Sequence, residues 1–309
     1  MNSTVCVFGG TGFLGRRLAR RLAAEGATLR IAVRSPDRAR SVLPAAVLDH
    51  VTLFRADVHD PASVAVAVAG ADAVVNAVSA YVEKPGATFQ SVHEQGARTL
   101  AQEAAAAGVA RLVLISGIGA DPGSQSPYIR SRGRGELVVR QAFPNATIVR
   151  PSAMFGPGDA LFGTLADIVR LLPVVPLIGG GRSRLQPVYV EDVAEGIGRM
   201  LADRATAGQT YELAGPRVYT LGELVGFALR LMDKRRLLLP VPFAVAEIQA
   251  RLFEFLPNPP LTTGQVDLLR ADNLASGALP GFRDLDIRPK PIEDIVPTYI
   301  GRLRKPVPD

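Results

Sequence analysis

The sequence predicts an α/β protein built on a doubly wound parallel sheet. Two observations carry that prediction. Short apolar runs alternate with helical patterns as far as Arg150-Pro151. The first apolar run also ends in a glycine-rich turn that opens a helix.

Taken in order, Thr4–Phe8 (TVCVF) reads as a buried strand. Residues 13–25 form a helix, with Leu14, Leu18 and Leu22 on one face and Gly26 as the stop. Residues 29–33 are a second strand, and Ser35-Pro36 supplies an N-cap with proline at the first helical position. Residues 51–54 are a third strand, and Asp60-Pro61 repeats the cap-plus-proline signal before a helix ending at Gly70. Strands at 73–78, 112–116 and 146–149 alternate with a helix at 89–107 and another, containing YIRSRGRGE (128–136), that runs to Ala142. Beyond it, proline and glycine become dense. Residues 186–190 and 209–213 read as further strands, with Asp192 capping a helix over 193–201. The predicted domains are a dinucleotide-binding domain of residues 1–155, to which 183–216 return, and a smaller, mostly helical lobe of 156–182 and 217–309 that closes over the ligand cleft.

Composition narrows the function. The 309 residues suffice for one large domain or two modest ones. The net charge of +6 is mostly arginine. It accompanies no nucleic-acid-binding module, so a solvated basic surface is the expectation. Cys6 is the lone cysteine, which excludes an internal disulfide framework, and three scattered histidines offer no zinc-ligand spacing. The first strand starts within five residues of Met1, and no apolar run is long enough to cross a bilayer. A cytoplasmic protein is expected.

Between the first strand and first helix lies FGGTGFLG. Gly9, Gly12 and Gly15 are three apart, and Gly10, Gly12 and Gly15 satisfy G-x-G-x-x-G. Glycine is needed where a backbone turns sharply and approaches a pyrophosphate, which then sits on free N–H groups of the helix N-terminus. Strand before and helix after make the motif a Rossmann dinucleotide site. Gly9, Gly10, Thr11, Gly12, Phe13, Leu14, Gly15 and Arg16 are its first candidates. NAD sites place a carboxylate at the end of the second strand; here Arg34 stands there, with Arg38 a turn beyond. A guanidinium grips a 2′-phosphate, which favours NADP(H) over NAD(H). Asp57 and Val58, after the third strand, are placed to meet the adenine. Asp57 serves equally as a loop cap.

These residues resemble the extended and atypical short-chain dehydrogenase/reductase superfamily, which includes NAD-dependent epimerases and dehydratases. More narrowly, the chain is similar to the bacterial relatives of complex I alpha-subcomplex subunit nine, an NADPH-binding accessory subunit. The resemblance is carried by VFGGTGFLGR (7–16), Tyr128, Gly135-Glu136, Phe143-Pro144, IVRPSAMFG (148–156), QPVYVEDVAEGI (186–197), AGP (214–216) and LPVPF (239–243). It implies that Ala77, Val78, Ser116, Pro151, Ser152 and Met154 also line the cofactor site. It makes Tyr128 the acid/base and the basic residue four positions on, here Arg132 instead of lysine, the group that holds the nicotinamide ribose. A Ser or Thr hydroxyl one residue beyond Ser116 is replaced by Gly117.

The departures differ in weight. One cation about 4 Å from a phenol at an effective dielectric near 20 supplies roughly 4 kcal/mol, enough to draw a tyrosine from pKa ~10 toward neutrality. Arginine therefore meets the electrostatic need, though not lysine's geometry. The absent hydroxyl is the heavier loss, since an oxyanion donor is worth about 10²–10³ in rate. Ser79, Ser124 or Ser126 could substitute. Arg130, Arg132 and Arg134 also read as a solvated basic run. The expectation is an NADP(H)-binding accessory, assembly or redox-sensing module of respiratory NADH:ubiquinone oxidoreductase with weak or no turnover and no metal. The alternative is an active NADPH-dependent reductase or epimerase/dehydratase on a small or isoprenoid substrate. Residues 237–257, with a basic flank at Lys234-Arg235-Arg236 and large apolar side chains, read as an interfacial or core-packing helix. The resemblance implies a peripheral position on the cytoplasmic face of the inner membrane.

Overall fold

In a computed structural model, which describes residues 3–43, 45–253 and 261–300, the first unit is a seven-stranded sheet covered by helices on both faces. Its elements are β1 (Thr4–Phe8), α1 (Phe13–Ala24), β2 (Thr28–Val33), α2 (Pro36–Val42), β3 (Val51–Arg55), α3 (Pro61–Val68), β4 (Ala73–Asn76), α4 (Ala97–Ala106), β5 (Arg111–Ile115), α5 (Pro127–Ala142), β6 (Thr147–Pro151), α6 (Val190–Ala202) and β7 (Thr210–Leu213). The strand order is β7-β6-β5-β4-β1-β2-β3, every pair parallel. The order reverses between β1 and β4, the switch point where open parallel sheets bind ligands.

The central strands lack polar alternation because both their faces are covered. Phe8, Val74, Val75, Leu112 and Ile148 are fully buried. One face packs Cys6, Phe8, Val74 and Leu112 on Val64 and Val68 of α3, Leu100 and Ala104 of α4, and Val139 of α5. Leu14, Leu18 and Leu22 are the buried stripe of α1, as their four-residue spacing predicts. Arg20 of α1 meets Glu191 of α6 at 2.6 Å, and Arg21 meets Glu195 at 3.4 Å. Such exposed pairs contribute at most about 1 kcal/mol each.

The first unit comprises Met1–Pro151, Val190–Leu213 and Ser276–Arg288. Arg150 explains how the distant segments join it. Its Nε and Nη2 donate to both carboxylate oxygens of buried Glu136, at 2.9 and 2.6 Å, and Glu212 of β7 lies at 4.0 Å. Glu212 in turn accepts from the Ser276 amide and hydroxyl at 2.6 and 2.7 Å. The second unit holds Ser152–Tyr189, Ala214–Ala275 and Pro289–Asp309. Its core gathers Phe155, Phe162, Leu165, Val169, Leu224, Ile292 and Val296.

Several local expectations change. Residues 186–190 contribute only Val188–Tyr189 as strand, paired with Met154–Phe155 outside the main sheet. Asp192 lies inside the first turn of α6 and does not precede it, because that helix begins at Val190. Ser35 occupies the N-cap of α2 but makes no side-chain cap bond, whereas Asp60 accepts from the Ala62 amide. Within 237–257, Leu237–Val241 is a strand paired in parallel with Val174–Ile178, and Phe243–Phe253 is a helix. Residues 254–257 of that stretch, including Phe255 and Leu256, lie outside the described residues. Among the described residues, no helix is long and apolar enough to cross a membrane.

Glycines within α5 set its packing distance. A Cβ at Gly133 would lie 2.3 Å from the Pro122 backbone nitrogen, and one at Gly135 would lie 2.2 Å from the His93 carbonyl oxygen. A helical glycine costs about 1 kcal/mol relative to alanine, so intimate contact is what holds these two in place. Gly135→Ala is expected to destabilise the protein by about 1–3 kcal/mol through overpacking. A denaturant or thermal melt showing no loss would contradict that packing.

Candidate functional site

The glycine loop is shaped for an anion. Gly9 has φ +79°, a conformation that disfavours side chains, and a Cβ there would lie 2.6 Å from the Ala77 backbone. A Cβ at Gly15 would lie 2.1 Å from the Gly9 carbonyl, while a Cβ at Gly10 would meet Ile31 of β2 at 2.7 Å. Gly12 sits at the N-cap of α1 and has no side chain to cap it, so the first-turn amides of Phe13, Leu14 and Gly15, which have no partner within the helix, receive no side-chain cap. Leu14 itself is buried, and Thr11 and Phe13 are partly exposed. The Nε of Arg16 is buried with no hydrogen-bond partner among the described residues. A glycine cradle, uncapped amides and an orphaned guanidine N–H fit a dinucleotide pyrophosphate.

Arg34 and Arg38 are exposed at the end of β2 and in α2. Asp57 caps its own turn, accepting from the His59 amide at 3.0 Å and the His59 ring at 2.9 Å. Partial burial raises the Asp57 pKa, but the His59 bonds and the charges of His59 and Arg34 outweigh it and hold the carboxyl below its ordinary value. Val58 is buried against Gly96. Ala77 donates to the Phe8 carbonyl at 2.9 Å, closing β4 onto β1, and Val78 donates to the Asn76 side chain at 3.1 Å. Pro151 accepts from Ile118 at the end of β6. Ser152 and Met154 belong to the second unit, where the Ser152 hydroxyl is committed to Asn273 at 2.6 Å.

Tyr128 and Arg132 stand together on α5, but not as charge considerations alone suggest. Arg132 is buried. Its Nη1 donates to the Ile115 carbonyl at 3.0 Å and its Nη2 to the Ser79 hydroxyl at 2.5 Å. Its guanidinium carbon lies 5.2 Å from the centre of the Tyr128 ring. Burial lowers the Arg132 pKa, yet the Tyr128 and Tyr81 phenols and Glu136 outweigh it, so the cation persists. Burial also dominates at Tyr128. It pushes the phenol up to about 12, against the lowering effect of Arg132. The expectation that Arg132 draws this phenol toward neutrality therefore fails, because desolvation of a buried phenolate exceeds what one guanidinium returns.

The basic run is not a solvated stripe. Arg130 donates to the carbonyls of Ser124 and Gln125 at 2.8 and 3.1 Å, Arg132 is internal, and only Arg134 is exposed. Of the three substitute hydroxyls, Ser79 touches Arg132. The Ser124 hydroxyl instead accepts from the Ser126 amide, and the buried Ser126 hydroxyl has no partner among the described residues. The Ser116 hydroxyl and the Arg132 Nε are likewise buried without one. They line one small cavity with Asn76, His93 and Gly135.

Two residues that the sequence did not single out complete the site. His93 lies in a π-helical turn (Gln90–Gly96), a form often found at functional positions. Ser131 spends its proton on the Tyr128 carbonyl at 2.8 Å, so it accepts from His93 Nδ1–H at 2.9 Å. His93 Nε2 accepts from the Ala80 amide at 3.1 Å. Burial, then the charge of Arg132, hold this histidine neutral with a pKa of about 3. Tyr81 stacks on Tyr128 with centroids 5.7 Å apart and planes at 23°. The π turn, one residue wider than an α turn, is the signal that a 3.6-residue reading of residues 89–107 misses.

Fold and loop define a dinucleotide-binding protein built on a Rossmann-type parallel sheet. A family model described as NAD(P)H-binding matches residues 9–160. Among solved structures, the chain resembles the dTDP-glucose 4,6-dehydratase DesIV of Streptomyces venezuelae, crystallised with NAD and TYD. The TM-score is 0.73 and the identity 22%, covering 96% of this chain and 95% of that one. The Arabidopsis thaliana protein named NADH dehydrogenase (ubiquinone) 1 alpha subcomplex subunit 9, mitochondrial, is 32% identical over 315 residues, covering 98% of this chain and 78% of the relative. A Caulobacter vibrioides ceramide reductase is 36% identical over 190 residues, covering 62% of this chain and 58% of the relative. The chain belongs to the family of complex I alpha subcomplex subunit 9.

The depressed pKa of His93 has a stability consequence. Between pH 6.5 and about 3 the unfolded chain takes up a proton that folded His93 refuses. Stability is therefore intact above pH 6.5 and is lost as pH falls through this window. His93→Gln is expected to remove that component. Wild type should lose up to ~1.4 kcal/mol more than the variant per pH unit of acidification. Parallel acid-denaturation curves for the two proteins would refute a neutral, buried His93.

Proposed function

We propose that this protein holds NADP(H) in preference to NAD(H), turns it over slowly, and serves as an accessory, assembly or redox-sensing module of respiratory NADH:ubiquinone oxidoreductase. The observation that carries the reading is the buried Tyr128 phenol, raised to about 12 beside a guanidinium already committed to Ile115 and Ser79. A general acid/base works best with a pKa near the operating pH, and this phenol is far from it. Gly117 adds no hydroxyl donor. Arg34, in the position where an NAD site carries a carboxylate, supports the choice of NADP(H). Family membership supports the respiratory partner, and a peripheral position on the cytoplasmic face of the inner membrane is part of the same proposal.

A second reading is a working NADPH-dependent reductase or epimerase/dehydratase on a small or isoprenoid substrate. The Caulobacter relative favours it, since that protein is named a ceramide reductase.

NADPH fluorescence titration should give tighter binding than NADH, with Arg34→Ala narrowing the gap. A wild-type preference for NADH would overturn the 2′-phosphate assignment. Co-purification with complex I tests the partner; a protein recovered only free of it would sink the accessory role. A Cβ at Gly117 would meet only the Pro151 carbonyl, at 4.0 Å, so serine fits there. Gly117→Ser is expected to raise NADPH oxidation by a test aldehyde tenfold or more. Rapid wild-type oxidation, abolished in Tyr128→Phe, would instead establish the second reading.

A further inference from the structure

Buried polar atoms are ordinarily paired, and an exception calls for a physical reason. Two exceptions fall at one place. The Ser116 hydroxyl and the Arg132 Nε are buried without a hydrogen-bond partner among the described residues. Their residues are 5% and 6% exposed, and both line the small cavity that they share with Asn76, which is 3% exposed.

Strand register brings these groups to one side of the sheet. Asn76 of β4 is paired with Leu114 of β5. Ser116 stands two residues beyond Leu114 and is still on the ladder, its amide donating to the Val149 carbonyl at 2.7 Å. Its hydroxyl therefore turns to the same face. That face is the one covered by α4 and α5, where Leu114 joins the core with Leu100 and Val139.

The cavity offers protons and little to receive them. The Arg132 Nε–H is a donor only. The Asn76 amide oxygen is taken by the Val78 amide at 3.1 Å, which leaves its NH₂ as a further donor. Both ring nitrogens of His93 are committed, to Ser131 and Ala80, and the Ile115 carbonyl already accepts from Arg132. Glu136, one turn further along α5, gives both its oxygens to Arg150. Val78, Val92, Ala97 and Leu114 make the rest of the wall apolar. A water here would have two protons to place and only the Ser116 oxygen to take one. An anion has none to place. It would also offset the guanidinium, whose burial is costly while its printed partners, a carbonyl and a hydroxyl, are neutral. The space admits a body about the size of one water, which suits a monatomic ion and not a phosphate.

We propose that this cavity binds a small monovalent anion of halide size, held by the Arg132 Nε–H, the Ser116 hydroxyl and the Asn76 NH₂. This second site is separate from the glycine loop and does not depend on which nucleotide binds there.

The test uses the full chain, purified without halide in sodium gluconate and free of nucleotide, with chloride as the probe. Titration followed by ³⁵Cl NMR line broadening is expected to show saturable binding. Ser116→Ala should raise the half-saturating chloride about tenfold, the worth of one hydrogen bond to a charged group. At equal ionic strength, chloride in place of gluconate should raise the wild-type melting temperature by ~2 °C, and that of Ser116→Ala by less. Crystals grown in bromide should show an anomalous peak within hydrogen-bonding reach of Arg132 Nε and Ser116 Oγ. A water at that position in bromide crystals overturns the inference, as do titrations and melts that are the same in wild type and Ser116→Ala. A bromide peak with no saturable chloride binding in solution marks an adventitious ion only, and overturns it too.

Discussion

Arg132 carries a positive charge into the first unit, where it bonds the carbonyl that ends β5 and a hydroxyl just beyond β4. Removing a charge from water costs several kcal/mol unless its protons are well placed. The arrangement around it is therefore tightly constrained. The end of β5, the Ser79–Tyr81 stretch and the register of α5 must all hold still for the two terminal guanidinium nitrogens to keep their partners. Tyr128, four residues earlier on the same helix, presents its ring to the same cation. The site's electrostatics follow from this burial. The cation persists, the phenol is driven up, and neither behaves as its solvent-exposed equivalent would.

Close backbone approach makes that burial possible. Gly135 lets α5 come against the carbonyl of His93, and the neighbouring Glu136 anchors Arg150 of β6. The π turn around His93 matches this approach. It points one imidazole nitrogen at the Ala80 amide and the other at Ser131. A neutral imidazole is the suitable group, because it accepts at one nitrogen and donates at the other. Gly9 and Gly15 play the same steric part in the nucleotide loop.

Much of the first unit was legible in sequence because its signals are local. Alternating apolar runs, cap-plus-proline pairs and a glycine-rich turn each report on a few consecutive residues, and the seven parallel strands follow them. Residues 237–241 were less legible. A leucine-rich run fits strand or helix equally, and pairing with Val174–Ile178 decides for the strand. In the site, Tyr128 and Arg132 were visible through their spacing. Ser79 was visible only as one hydroxyl among three. His93 and Tyr81 carried no signal, since their partners lie in other segments.

The sequence by itself determined the sheet, the anion-binding loop and the family, because nearest-neighbour geometry and residue type suffice for these. The protonation states at the site were decided by tertiary structure. A count of nearby charges predicts an acidified phenol, whereas the folded protein raises it, since desolvation depends on everything packed around Tyr128 and not on its helix neighbours alone.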